Sequence, residues 1–268
     1  MGEPGFRLGG SLWSFYSGQD PGTWPSLPEA VQAILEMDLG LGVEVWATKS
    51  LDDSEPDSRE LSELATVCQG AAFVTVHVRG VYWNWDPANL RCEVDFAQRV
   101  GGRVLVLHPA CLGLMDPDDR MDAPEIGRLA DYAATRGVRL AIENVQDSMW
   151  ALDRVVEEMG DDPEKTNLGV CIDVGHAHLS RDAGREPVRA YLKRYTGQLV
   201  HLHLHDNFGS RDEHLVPGEG TLDWPRLSDE LTGIGFSETA VLEVCGPRIV
   251  PRSAIREGIS RLRRGWSS

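Results

Sequence analysis

The stretch His201-Leu-His203-Leu-His205-Asp206-Asn207 sets three imidazoles at alternate positions. On a β-strand they share one face and leave Val200, Leu202 and Leu204 on the other. Asp212 and His214 follow, and then the turn Pro217-Gly218-Glu219-Gly220. A half-buried strand with a polar face and a solvated loop is the plain alternative, but three imidazoles on one buried face cost free energy unless each finds a partner. The same chemistry recurs where other apolar runs end, at Glu44, His77, His108, Glu143, Asp173 and Glu243. Carboxylates with a few imidazoles and no thiolate are the donors of a divalent ion such as Mn²⁺, Co²⁺, Mg²⁺ or Zn²⁺. Paired carboxylates in one pocket can also take up and return a proton.

These residues need a scaffold that brings strand ends together. Eight short β-rich runs alternate with amphipathic helical patterns. The expected strands are Arg7–Trp13, Gly42–Trp46, Ala72–Val78, Arg103–His108, Val138–Glu143, Leu168–Asp173, Leu199–His205 and Thr239–Val244. Between them, Glu29–Leu39 and Arg59–Gln69 each carry one apolar stripe. Asp86-Pro87, Asp122-Ala-Pro-Glu125 and Asp223-Trp-Pro read as helix starts, and Gly70, Gly137 and Gly160 as left-handed caps. No linker or second composition regime interrupts the alternation, so the expected fold is α/β, a single (β/α)8 TIM barrel over residues 1–268. An open doubly wound sheet is disfavoured, because no Gly-x-Gly-x-x-Gly follows the first strand.

Barrel enzymes carry their chemistry at the C-terminal strand ends. Seven of the eight expected strands end in a metal-competent or acid–base side chain, and all eight histidines fall at strand ends or in the loops after them. Scattered surface histidines would not sort this way. Glu143, Asp173 and Glu243 each follow a residue expected to face the helices (Ile142, Ile172, Leu242), so parity turns all three into the barrel mouth. His201 lies about 7 Å below His203 and reads as a hydrogen-bonded filler, and His178 as a loop bystander. Trp13, Phe15, Tyr16, Trp46, Tyr82, Trp83 and Trp85 cluster after the first three strands, where some are plain packing and others suit pocket walls that exclude water.

Composition narrows the class. The formal charge of −16 argues against a nucleic-acid partner. No apolar run is long enough to span a membrane, and no signal-peptide pattern opens the chain. Five scattered cysteines without a C-x-x-C fit reduced thiols in a cytoplasmic protein, as small apolar fillers. The three lysines, Lys49, Lys165 and Lys193, lie at no inward strand end, which leaves Schiff-base chemistry without a nucleophile.

The chain resembles the xylose isomerase-like barrels, a superfamily of sugar isomerases and epimerases related to zinc-dependent apurinic endonucleases. The resemblance rests on Ile142-Glu143-Asn144, Asp173-Val-Gly-His176, His203-Leu-His-Asp206 and Leu242-Glu243, and less specifically on Gly42-Val-Glu44, Val76-His77 and Leu107-His108-Pro109. It implies Glu143, Asp173, His203 and Glu243 as metal ligands, and it is the resemblance that selects His203 over His205. It also implies that Asp212 and His214 could serve a further metal, as in the endonucleases.

The expected activity is a divalent-metal-dependent isomerase or epimerase of a keto sugar or polyol derivative, working through an enediolate. Glu143 and Glu243 would exchange the proton. His176 would hold a substrate oxygen, and Glu44, His77, His108, His214, Trp13 and Trp83 would line the pocket. The expected partner is a small carbohydrate, and barrels of this class often form homo-oligomers. A lyase or dehydratase on the same site, cleavage of abasic DNA by a multi-zinc cluster, and a non-catalytic carbohydrate-binding subunit are the alternatives. The acidic charge counts against the second, and the paired glutamates against the third.

Overall fold

Apolar runs that end in one polar side chain become the eight strands of a closed parallel barrel. The computed structural model describes residues 5–37, 40–46, 57–78, 87–145, 149–160, 162–181 and 183–265. The strands are β1 (Arg7–Ser11), β2 (Gly42–Trp46), β3 (Val74–His77), β4 (Val104–Leu107), β5 (Arg139–Glu143), β6 (Leu168–Asp173), β7 (Leu199–Leu204) and β8 (Thr239–Leu242). Pairing of Arg7 with Thr239 through Gly10 with Leu242 closes the ring. One long helix follows each strand, at Leu27–Leu35, Ser58–Cys68, Pro87–Val100, Ala123–Thr135, Met149–Met159, Pro187–Arg194, Trp224–Gly233 and Pro251–Gly265.

Local chemistry sets the helix starts. Ser26 and Glu29 form a reciprocal capping box, and the side chains of Asp57, Asp122 and Asp223 accept backbone N–H bonds from the first turns of their helices. The outward strand residues Ile142, Ile172, Leu202 and Leu242 are fully buried in one apolar cluster with Leu64, Ile126, Leu129 and Ile255 from the helices. Burying each such side chain is worth about 1.5–3 kcal/mol. That seam fixes which residues are left to face the barrel axis.

Several expectations need correction. β1 stops at Ser11, and Trp13 opens a short helix, Trp13–Tyr16. His176 and His178 lie not in a loop but on a short helix, Val174–Leu179, which Asp173 caps. The first long helix ends at Leu35, and the expected end at Leu39 lies outside the described residues, as do Asp86 and Lys49. Gly137 and Gly160 take the left-handed conformation, whereas Gly70 does not. Cys92 is exposed, so it is no filler; Cys68, Cys111 and Cys171 are buried.

Val200 also departs from simple alternation. Pairing between β6 and β7 steps from Val170–Leu199 to Cys171–His201, so β7 carries a bulge at this point. Val200 thereby packs inside the barrel with Val106, Ala141 and Cys171. Gly169 makes the room, because a Cβ there would lie 2.6 Å from Val200 Cγ1 and 2.9 Å from the Gln198 carbonyl oxygen. Gly169→Val should therefore destabilise the barrel by about 1–3 kcal/mol, measured by urea denaturation. Adding Val200→Ala should recover part of the loss; no recovery would mean that this contact does not set the packing.

Candidate active site

Four side chains from consecutive regions of the ring meet at the C-terminal mouth. Glu143 ends β5, Asp173 ends β6, His203 is the penultimate residue of β7, and Glu243 follows β8. All are at most 3% exposed. His203 Nδ1 lies 3.2 Å from Glu143 Oε1, 3.7 Å from Glu243 Oε2 and 3.9 Å from Asp173 Oδ2. Glu143 is the hub: its Oε2 is 3.1 Å from both His77 Nε2 and His108 Nε2, and its Oε1 is 3.5 Å from His176 Nδ1. Asp173 Oδ1 accepts the His176 backbone N–H at 2.7 Å, while its Oδ2 is buried with no hydrogen-bond donor among the described residues. Ser11 donates to Glu243 Oε1 at 3.1 Å and accepts from the Trp46 indole N–H at 3.1 Å.

A second group closes the outer side. Asp212 Oδ2 lies between His176 Nε2 at 3.1 Å and His214 Nε2 at 3.2 Å. His214 is held in the left-handed region, φ 47°, and its Nδ1 donates to the Glu243 carbonyl at 2.7 Å. His205 is fully buried, stacks on His214 at 3.9 Å and faces Asp173 Oδ1 at 2.9 Å through Nε2. Gly175 gives it space, since a Cβ there would sit 2.0 Å from the His205 ring. Asp206 turns away from this group. It accepts from the N–H groups of Gly218 and Leu222 and from the Trp224 indole, and so anchors the Gly-rich turn.

The mouth is a cavity of about 400 Å³, with Trp13, Trp46 and Val145 beside the polar residues. Trp46 lies on His77 at 3.8 Å and on Trp13 at 4.5 Å, which makes a continuous aromatic wall. A larger cavity, about 790 Å³, opens at the other end of the barrel among Arg7, Arg99, Arg103 and Arg139. Among the described residues its lining has no histidine and a single carboxylate, Glu238, and so no pair of acid–base groups.

Burial and neighbours drive the two glutamates apart. Burial pushes Glu143 upward, but His203, His108 and His176 outweigh it and hold its carboxyl well below the usual range. Glu243 has fewer donors. Burial raises it to about 7, with Glu44 and Glu143 reinforcing the shift against His203 and His77. Burial lowers His176 and His203, yet the surrounding carboxylates raise both well above the ordinary histidine value. For His108 and His205 burial wins and favours the neutral ring.

Most of the expected site residues converge here: His77, His108, Glu143, Asp173, His176, His203, His214, Glu243 and Trp13. Glu44 does not line the cavity. It is fully buried one layer below the mouth, because β2 runs two residues further and presents Trp46 at the level of His77. Trp83, with Tyr82 and Trp85, lies outside the described residues. His201 is hydrogen-bonded to Thr239 and Glu44 inside the barrel, and His178 Nδ1 faces Asn207 Oδ1. Ser11 is not among the expected site residues, although it ends β1 with inward parity, and His205, which the resemblance passes over for His203, shares the parity of His203. Asn144, part of the Ile142-Glu143-Asn144 motif, brackets the Asp173 backbone with its side chain at both N–H and C=O.

Residues 41–265 match a family model described as xylose isomerase-like TIM barrel. The chain belongs to this family. Among relatives of the xylose isomerase-like chain, an uncharacterized protein of Mycobacterium bovis is 41% identical over 182 residues, covering 60% of this chain and 63% of its own. Fructoselysine 3-epimerase of Shigella flexneri is 23% identical, over 65% of this chain and 64% of its own. The chain spans between 49% and 64% of such relatives' lengths. Among solved structures, a D-tagatose 3-epimerase-like protein superposes with a TM-score of 0.71 at 18% identity, covering 98% of both chains. The IOLI protein with a bound zinc atom gives 0.68 at 16% identity, again covering 98% of both. At these identities the superpositions speak to the fold.

The raised Glu243 carboxyl has a direct consequence for the metal-free protein. A carboxyl that folding raises from 4.5 to about 7 favours the folded state below pH 4.5, and that contribution is lost as pH rises through 7. Glu243→Gln removes the dependence. The stability of the variant relative to wild type should therefore increase between pH 4.5 and 7, measured by thermal unfolding in chelator. A difference independent of pH would show that Glu243 does not titrate in this window.

Proposed function

We propose that this protein is a divalent-metal-dependent isomerase or epimerase of a keto sugar or polyol derivative, acting by proton transfer through an enediolate. The observation that carries the reading is one cavity lined by two buried glutamates, Glu143 among four imidazoles and Glu243 beside the Ser11 hydroxyl. The former can take a proton beside a carbonyl and the latter can supply one. The names of relatives and neighbours, fructoselysine 3-epimerase, a D-tagatose 3-epimerase-like protein and L-ribulose 3-epimerase, support the substrate class.

The donor set fits a metal ion. Three buried carboxylates crowd one imidazole nitrogen, and Asp173 Oδ2 has no hydrogen-bond donor among the described residues, an arrangement that a cation would stabilise. Glu143, Asp173, His203 and Glu243 would hold it. When bound, a divalent ion supplies Lewis-acid polarisation of the carbonyl and stabilises charge on adjacent oxygens. Zinc in the IOLI structure accords with the ligand chemistry, though Mn²⁺, Co²⁺ and Mg²⁺ suit the same donors. The groups His77, His108, Glu143 and His176, His205, Asp212, His214 each cluster tightly enough to offer a further site.

The remaining roles belong to the chain itself. Trp13 and Trp46 would stack on the substrate and exclude water. His176, His214 and Asp212 would bind its hydroxyls at the rim, and His77 and His108 would hold the Glu143 carboxylate in place. Ser11 would keep Glu243 oriented toward the reacting carbon.

Two experiments test this reading. Asp173→Ala should weaken Co²⁺ or Zn²⁺ binding by at least about tenfold, the scale of an outer-partner loss, whereas His178→Ala should leave it unchanged; wild type that binds neither ion would remove the metal centre. With a ketose substrate found by screening, turnover in D₂O should place deuterium at the reacting carbon, and Glu243→Gln should lower kcat by at least about 10²-fold. Unlabelled product would instead point to a hydride shift.

A further inference from the structure

Below the mouth lies a polar layer that the proposed chemistry does not use. Glu44, His201, Thr75 and Thr239 are all at most 4% exposed. Barrel register assembles them: Glu44 pairs with Thr75 across β2 and β3, and His201 with Thr239 across β7 and β8. Three donors converge on Glu44 Oε2, namely Thr75 Oγ1 at 3.1 Å, His201 Nε2 at 3.2 Å and His203 Nε2 at 3.2 Å.

We propose that Glu44 is a positioning residue that fixes the tautomer of His203, placing the proton on Nε2 and turning the Nδ1 lone pair toward Glu143, Asp173 and Glu243. The inference rests on the metal-centre reading above. A neutral imidazole has one N–H and one lone pair, and both nitrogens of His203 face carboxylate oxygens. A lone pair on Nε2 would face Glu44 Oε2 at 3.2 Å, a contact that needs a proton between the two atoms. A lone pair on Nδ1 faces Glu143, Asp173 and Glu243, where an ion held by all three would meet it. His201 is fixed in the same way: its Nε2–H donates to Glu44, and its Nδ1 accepts the Thr239 hydroxyl at 2.7 Å. Thr239, His201, Glu44 and His203 thus form one relay of orientation from the barrel interior to the mouth.

A filler chosen for stability would satisfy the whole carboxylate. Here Glu44 Oε1 is buried without a donor among the described residues, so the layer retains an unpaired acceptor that costs free energy. That cost is consistent with a layer that orients His203. An imidazole ligand whose second nitrogen donates to a carboxylate is oriented and made more basic, and losing the partner typically costs 10–100-fold in metal affinity.

The test uses Zn²⁺ and Co²⁺ as probes on the full chain. In Zn²⁺-loaded wild type, ¹⁵N NMR of His203 should show a protonated Nε2 and a coordinated Nδ1. Glu44→Leu should lower Co²⁺ affinity by about 10–100-fold and change the visible Co²⁺ spectrum. Glu44→Gln keeps an acceptor oxygen and should recover most of the affinity, with the Nε2–H signal intact. The Glu44→Gln comparison and the wild-type spectrum keep the test decisive should Glu44→Leu fail to fold. Zn²⁺ bound through His203 Nε2, or equal affinities for Glu44→Leu and wild type, would overturn the tautomer assignment and leave the metal centre standing. Wild type that takes up no Zn²⁺ or Co²⁺ would overturn both.

Discussion

The structure is organised around buried negative charge. Glu44, Glu143, Asp173 and Glu243 lie within one end of the barrel, each at most 3% exposed, beside seven of the eight histidines. An isolated carboxylate in such surroundings would be protonated or would not be buried. Here imidazoles take the place of water. Glu143 alone faces His77, His108, His176 and His203. Everything around the mouth can be understood as a means of holding these groups close without letting them neutralise one another completely.

The strands do most of this by register, and single contacts refine it. Asp173 caps the short helix Val174–Leu179 with the oxygen Oδ1 and leaves Oδ2 toward His203. One side chain therefore closes a turn and keeps its second oxygen at the mouth. The same helix carries Gly175, whose missing side chain admits the His205 ring, and His176, which reaches Asp212. Asp206 stays out of the cluster but ties down the turn after it, so that Asp212 and His214 stand over the mouth. These are dense local hydrogen bonds, and they explain how a loop can hold two site residues as firmly as a strand would.

The sequence made the ring of strand ends readable because parity and burial are local properties. A residue after Ile142, Ile172 or Leu242 must face inward if those residues pack on helices, and they do. Depth is not local. Glu44 is expected at the mouth as a residue near the end of Gly42–Trp46, and β2 has those bounds, but Trp46 pairs with His77 and leaves Glu44 two residues deeper; the stagger between strands decides the level of each residue. The bulge at Val200 was equally hidden, since it depends on the space that Gly169 leaves in the neighbouring strand. His205 shared the parity that marked His203, but its proximity to Asp173 and His214 is set by how the following loop folds back.

The asymmetry between the two glutamates follows from the same geometry. Both lose hydration to a similar degree, so burial alone would raise both. Glu143 is compensated because it stands where the ends of β3, β4, β6 and β7 deliver imidazoles around it. Glu243 stands beside β1, which delivers a hydroxyl from Ser11, and near Glu44 and Glu143, which repel it. A serine in place of a fifth imidazole leaves a carboxyl that titrates near neutrality, next to one that stays ionised. The difference between the two carboxyls needs no special residue of its own, because the placement of donors around the ring creates it.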